Sequence, residues 1–276
     1  MYTLYTVRPR DPAHTELLVA LLAEAGFEAF EEREEQLLAY ALTDAHRANL
    51  AALEKQRERL PFTFTHEVQE ERNWNEVWEG QFHPIRIGDR LLIRAGFHPP
   101  EAGFEQELVI DPKMAFGTGH HATTHMMCEL LFDYRDRVAG ARSLDYGCGT
   151  GVLAILGKKL GGGAAGAVDI EAPSYENTIE NAATNGVLLE EVIHGTLEDV
   201  PRGAPYDLIL ANINRNVILA TAGSLYKRLR PGGLVFVSGI LERDEDLIVE
   251  RLTRAGFDHH DTRSRADWRA FVFSRP

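Results

Sequence analysis

Cysteine is scarce in this sequence: Cys128 and Cys148 are the two among 276 residues, too few for a disulfide framework and in keeping with a reducing compartment. No apolar run is long enough to span a bilayer. The first residues, Met-Tyr-Thr-Leu-Tyr-Thr-Val-Arg, lack the basic and apolar regions of a secretion signal. These absences lead us to expect a cytoplasmic protein without a membrane anchor. Positive charge is short as well. Lys and Arg total 29 against 42 Asp and Glu, a formal net charge of −13. A field of that sign repels phosphate backbones and draws in cationic partners, so direct nucleic-acid binding is not expected. Internal repeats and low-complexity tracts are absent too. What remains is 44% hydrophobic and 26% charged, enough for a sizeable folded core.

The periodicity divides the chain in two. Residues 1–7 alternate in strand fashion, and Asp11-Pro12 offers an N-cap and first-turn proline to a helix over Glu16–Ala25, which Gly26 stops. Strands are expected at Phe27–Glu31 and Leu37–Leu42. A helix then runs from the Asp44 cap to about Leu60, and a strand covers Phe62–Val68. That β-α-β-β-α-β order is ferredoxin-like and defines a small N-terminal α+β domain over 1–69. Residues 70–82 read as a linker helix with Trp74, Val77 and Trp78 on one face. Over 83–276, strands are expected at Ile85–Ile87, Leu91–Arg94, Glu107–Ile110, Ser143–Tyr146, Ala165–Asp169, Asp207–Ala211, Leu234–Ser238 and Arg269–Phe273. Helices from Gly151, Ser174, Asn214 and Glu242 separate the later ones. Repeated β-α units with continuously apolar strands predict an α/β domain built on a parallel, doubly wound sheet.

At the carboxyl end of the Ser143–Tyr146 strand stands Asp145-Tyr-Gly-Cys-Gly-Thr-Gly151, opening a helix. Ligands of open α/β sheets bind at strand carboxyl ends, and glycine lets the main chain approach them closely. A dinucleotide fingerprint needs a third glycine where Val152 stands, and a phosphate loop needs Lys-Ser/Thr after Gly151, where Val152-Leu153 stand. The pattern D-x-G-x-G-x-G resembles instead the cofactor loop of Rossmann-like S-adenosylmethionine-dependent methyltransferases. Asp169 ends the next strand about 20 residues on, where an acid can accept hydrogen bonds from ribose hydroxyls.

Upstream lies Asp111-Pro-Lys-Met-Ala-Phe-Gly-Thr-Gly-His-His-Ala-Thr-Thr-His125. His121 and His125 fall on one helix face without further metal ligands in spacing, so a capping or packing role is expected and no metal. The run Ala115–Thr124, the loop Asp145–Ile155, the strand Ala167-Val-Asp-Ile170 and Ala211-Asn-Ile213 occur in that order. Together with Asn73–Trp78 and Ile85–Ile93, they resemble the PrmA family, the ribosomal protein L11 methyltransferases.

The resemblance implies a class I methyltransferase sheet, S-adenosyl-L-methionine as cofactor, and a small N-terminal domain that recognises substrate. It implies cofactor contacts at Thr124, Gly147, Asp169 and Asn212, with Gly149, Phe116 and Gly117 as further candidates in the same motifs. The activity implied is N-methylation of amino groups of ribosomal protein L11, on lysine side chains and the N-terminal amine. Another protein or a small amine is the alternative acceptor. Asn212 either orients the acceptor nitrogen or caps the following helix, and Asn214 can add a polar group near the acceptor. Methyltransferases of planar adenine and glutamine amide groups resemble one another in carrying Asn-Pro-Pro-aromatic at this place; this chain has no proline or aromatic residue at 213–215, so an aliphatic amine is expected. A monomer is the expected state.

Overall fold

The computed structural model describes residues 2–11, 14–33, 36–57, 59–69, 83–111 and 121–276. The expected linker helix, and Phe116 and Gly117, lie outside the described residues. The chain divides into two compact units, Met1–Gln81 and Phe82–Pro276.

The first unit comprises β1 (Tyr2–Pro9), α1 (Thr15–Glu24), β2 (Ala29–Arg33), β3 (Gln36–Leu42), α2 (His46–Arg57) and β4 (Phe62–Gln69). Its sheet order is β2-β3-β1-β4 with antiparallel pairings, the arrangement that the β-α-β-β-α-β reading requires. Alternate residues of each strand share a face. Tyr5 and Val7 of β1 and Leu37 and Ala39 of β3 therefore meet Leu18, Leu22 and Leu53 from the helices in one core. The start of α1 differs from expectation. His14, not Asp11, holds the N-cap position, because the Asp11 carbonyl accepts the His14 N–H at 3.0 Å and closes a turn before the helix.

The second unit opens with β5 (Ile85–Ile87), β6 (Leu91–Arg94) and β7 (Gln106–Val109), which form a small sheet in the order β5-β6-β7. Two helices follow, α3 (Ala122–Asp133) and the short α4 (Arg135–Val138). The large sheet then alternates with helices: β8 (Ser143–Tyr146), α5 (Val152–Lys159), β9 (Ala165–Asp169), α6 (Ala172–Thr184) and β10 (Glu191–His194). It continues through β11 (Tyr206–Asn212), α7 (Arg215–Arg228), β12 (Leu229–Leu241), α8 (Glu245–Arg254), β13 (Asp258–Arg265) and β14 (Trp268–Ser274). The seven strands lie in the order β10-β9-β8-β11-β12-β14-β13. Apolar residues of both faces are buried, Leu210, Phe236 and Val272 among one cluster and Ile209, Val235 and Phe271 among the other. That is why these strands read as continuous apolar runs.

Two features depart from the sequence expectation. The sheet is parallel from β10 through β12, but β14 runs antiparallel to both β12 and β13. Strands β10 and β13 carry no readable pattern. Both are edge strands, paired on one side, and β13 is the polar sequence Asp-His-His-Asp-Thr-Arg-Ser-Arg with no fully buried residue. From β8 the chain moves outward through β9 to β10, then returns to place β11 on the other side of β8. The order reverses between β8 and β11, and sheets of this kind bind ligands at the carboxyl ends of the strands on either side of such a reversal.

Phe236 is fully buried at the centre of β12 and stacks edge-on against Tyr134 at 5.3 Å. Phe236→Ala is expected to lower the unfolding free energy by about 3–5 kcal/mol in urea titrations, from lost burial and the cavity left behind. A loss below about 1 kcal/mol contradicts this packing.

Candidate active site

The crossing from β8 to α5 takes three left-handed glycines, with φ of 75° at Gly147, 56° at Gly149 and 78° at Gly151. Gly147 shows why a side chain is excluded. A Cβ there would lie 2.1 Å from Cγ2 of Ile213, the residue after β11. Ile213 therefore packs into the space that glycine leaves. Its own carbonyl sits where a Cβ on Gly239 would stand, at 2.3 Å, and its N–H donates to Ser238 O at 3.2 Å. The crossing is also tied to β9: the Gly147 and Cys148 amides donate to Val168 O at 2.8 and 3.2 Å.

Asp169 stands at the end of β9, as expected, half-buried beside this crossing. Its Oδ2 accepts the Gly149 N–H at 2.9 Å and its Oδ1 the Glu171 N–H at 3.0 Å. A carboxylate has about four acceptor sites, so two such bonds fix its orientation and leave capacity for a ligand's hydroxyls. The next residue, Ile170, is 63% exposed, an apolar surface beside the acid. His194, at the end of β10, donates from Nε2 to Ile170 O at 3.0 Å, and its ring lies 5.9 Å from that of Tyr175. Ile170 was read from the sequence only as part of its strand motif, and His194 was not singled out, because β10 was not legible.

Asp145 is 2% exposed. Its Oδ2 accepts the Ala154 N–H at 3.0 Å, which caps the start of α5 in place of the side chain that Gly151 lacks. Its Oδ1 is buried without a hydrogen-bond partner among the described residues. Burial pushes this carboxyl up to about 7, with the Ala154 bond pulling down and the charge of Asp169 adding to the rise. The two cysteines are not nucleophiles here. Burial pushes both thiols up, and the Cys148 Sγ lies 3.2 Å from Thr178 Oγ1.

Asn212 ends β11 and Thr124 lies in the first turn of α3, fully buried. Asn212 Nδ2 donates to Thr124 Oγ1 at 3.2 Å, so two residues 88 positions apart, both expected at the site, meet. Asn212 Oδ1 is buried and has no partner among the described residues. The capping role falls to a different asparagine. Asn214 is the N-cap of α7 and its side chain accepts the Val217 N–H at 3.2 Å. Its oxygen is committed to the helix start, so the cap that Asn212 could have supplied comes from Asn214. His121 is the N-cap of α3, with Nδ1 2.8 Å from Thr123 Oγ1 and its ring edge-on to Trp268 at 4.6 Å. His125 contacts Arg265 and Glu129. Burial lowers the pKa of both histidines. Among the described residues no group of three or more His, Cys, Asp or Glu converges to hold a metal.

A doubly wound sheet with a glycine crossing after its first strand, an acid ending the second and an asparagine ending the fourth defines a Rossmann-like class I methyltransferase. Comparison with known proteins narrows the class. The family model described as ribosomal protein L11 methyltransferase (PrmA) matches residues 15–276. The chain is 42% identical over 263 residues to a ribosomal protein L11 methyltransferase of Porphyromonas gingivalis, covering 94% of this chain and 90% of that one. It is 36% identical over 275 residues to one from Bacteroides fragilis, covering 98% and 97%. The solved ribosomal protein L11 methylase from Lactobacillus delbrueckii subsp. bulgaricus superposes with a TM-score of 0.62 at 30% identity, over 70% of this chain and 99% of that one. A methyltransferase from Pyrococcus furiosus shares the fold at 17% identity, with a TM-score of 0.51 over 61% of this chain and 89% of that one. The chain belongs to the PrmA family.

The raised Asp145 pKa has a stability consequence. The unfolded chain loses this proton near pH 3.9 and the folded protein near pH 7, so the contribution is complete below about pH 4 and is lost as pH rises through 7. Asp145→Asn removes the ionisation. In urea unfolding of the cofactor-free protein, its stability relative to wild type is expected to improve by roughly 1.4 kcal/mol per pH unit between pH 5 and 7, then level off. A difference that stays constant across that range contradicts the assignment.

Proposed function

We propose that this protein transfers methyl groups from S-adenosyl-L-methionine to amino groups of ribosomal protein L11, on lysine side chains and the N-terminal amine. Membership of the PrmA family supports the substrate, and the expected cytoplasmic setting is where a ribosomal protein is made. The single observation that carries the chemistry is the pair of buried oxygens without partners among the described residues, Asp145 Oδ1 behind the glycine crossing and Asn212 Oδ1 at the end of β11. A buried acceptor without a donor costs about 1–3 kcal/mol, a cost that a ligand's N–H groups remove.

The residues present fit the cofactor. Asp169 keeps acceptor capacity for the two sugar hydroxyls, Ile170 offers an apolar face to the base, and Gly147 lets the main chain lie against the amino-acid end. Thr124, Gly149 and Asn212 complete the contacts, with Phe116 and Gly117 as further candidates. S-adenosylmethionine, when bound, supplies a sulfonium-activated methyl group. The protein's part is to orient the acceptor. Asn212 is held by Thr124, which leaves its carbonyl oxygen to accept an N–H from an incoming amine. Only a neutral amine has a lone pair to offer, and a buried site disfavours the ammonium form. Fixing both reactants supplies about 7–11 kcal/mol of the barrier reduction in well-oriented systems, so neither metal nor covalent nucleophile is required. Ile213 faces Gly147, and no aromatic ring occupies 213–215 to stack on a planar acceptor, which favours an aliphatic amine.

The first unit, with its own core and ferredoxin-like topology, is the substrate-recognition domain in this reading. The test is intact-mass analysis of ribosomal protein L11 after incubation with enzyme and S-adenosylmethionine. The expected result is a gain in steps of one methyl, abolished by Asp169→Ala and slowed about 10²-fold by Asn212→Ala, the usual cost of losing one positioned polar group at a reacting centre. No gain on L11, with methylation of a small amine instead, would overturn the substrate.

A further inference from the structure

Helix α6 carries three asparagines at four-residue spacing, Asn177, Asn181 and, at its C-cap, Asn185. Asparagine is a weak helix former, and two of these are 1% and 2% exposed, so their burial needs a compensating role. Each rung grips main chain. Asn185 acts as a surrogate strand at the edge of β7: its Oδ1 accepts the Val109 N–H at 3.0 Å and its Nδ2 donates to Val109 O at 2.7 Å. Asn177 Nδ2 donates to Asp111 O at 2.8 Å. Asn181 reaches in two directions. Its Oδ1 accepts the Asp111 N–H at 3.0 Å, while its Nδ2 donates to Thr150 O, inside the glycine crossing, at 2.9 Å. One turn earlier, Thr178 is fully buried and donates from Oγ1 to Gly149 O at 3.0 Å.

Two separate stretches therefore hang from one helix face. One is the crossing, whose consecutive carbonyls at 149 and 150 are both held toward α6. The other is Asp111, immediately before the run that carries Phe116, Gly117 and, further on, Thr124. Asn181 is the one described side chain that bonds main chain in both.

We propose that Asn181 is a positioning residue that locks the glycine crossing of the cofactor site to the main chain of Asp111, setting one position for the crossing against α6. The inference rests on the proposed use of S-adenosylmethionine and deepens it. Asn181 acts through the main chain and touches neither reactant, so its loss falls on cofactor affinity rather than on the methyl-transfer rate.

The experiment compares three variants of the full chain by steady-state kinetics and thermal melting. Asn181→Ala is expected to raise KM for S-adenosylmethionine about tenfold or more, with kcat within about threefold of wild type, the scale of one lost buried hydrogen bond that holds a loop. Thr178→Val removes only the tie to the crossing and keeps the side-chain volume. It is expected to raise KM by about threefold or more, and it supplies the answer if Asn181→Ala fails to fold. Asn185→Ala cuts two bonds to β7 and none to the crossing, so Tm falls while KM stays within about twofold. The proposal is overturned if the Asn181 and Thr178 variants keep the wild-type KM, or if Asn185→Ala raises KM as much as they do. A wild-type protein that binds no S-adenosylmethionine in calorimetry overturns the function itself, and this inference with it.

Discussion

Ile213 and Gly147 occupy one space: the side chain of the first stands where a Cβ of the second would be. That exclusion joins the end of β11 to the crossing after β8, and the other elements of the site are arranged around it. The Gly149 amide is held by Asp169 at the tip of β9, and Asp145 caps α5 from beneath. The segment after β11 cannot rise, because Gly239 admits the Ile213 carbonyl in the same way. Asn212 is thereby presented at the strand end with its amide turned to Thr124. The bare main chain and Asn212 are two ends of one packed contact.

The chemistry that follows is one of placement. Neither cysteine is poised as a thiolate, and the raised pKa of Asp145 belongs to a buried carboxyl bonded to a helix amide. A reaction in which one reactant arrives already activated needs little else from the protein than a fixed line of approach and a dry site. The acidic surface adds an attraction for a cationic substrate that weakens with salt. Ion pairs such as Arg90–Asp133 and Arg215–Asp244 tie elements together at the surface, where each contributes modestly.

Much of this was legible in the sequence. The apolar runs at 143–146, 165–169, 207–211 and 234–238 became strands because both faces of the sheet are covered. The glycine pattern marked the crossing because no other residue takes those dihedrals cheaply. Asp169, Asn212 and Thr124 were found by spacing and by resemblance, and the structure brings Asn212 and Thr124 into contact. Strand β13 was not legible because its sequence is polar throughout, and β10 because its four residues, Glu-Val-Ile-His, are too few to show a period. The antiparallel direction of β14 against β12 was hidden for another reason: direction leaves no mark on an apolar run. The capping oxygen of Asn214 was not singled out, because an asparagine before a helix reads alike as a cap and as a site residue. The asparagine ladder of α6 was invisible, because its partners are main-chain atoms that carry no residue identity.

The most direct test of the central contact is isothermal titration of S-adenosylhomocysteine into wild type and Gly147→Ala. A methyl group at 147 has to displace Ile213 and adopt a left-handed φ, so the account predicts that affinity falls by about 10²-fold or more while the fold persists in circular dichroism. Wild-type affinity in a folded Gly147→Ala protein would contradict it.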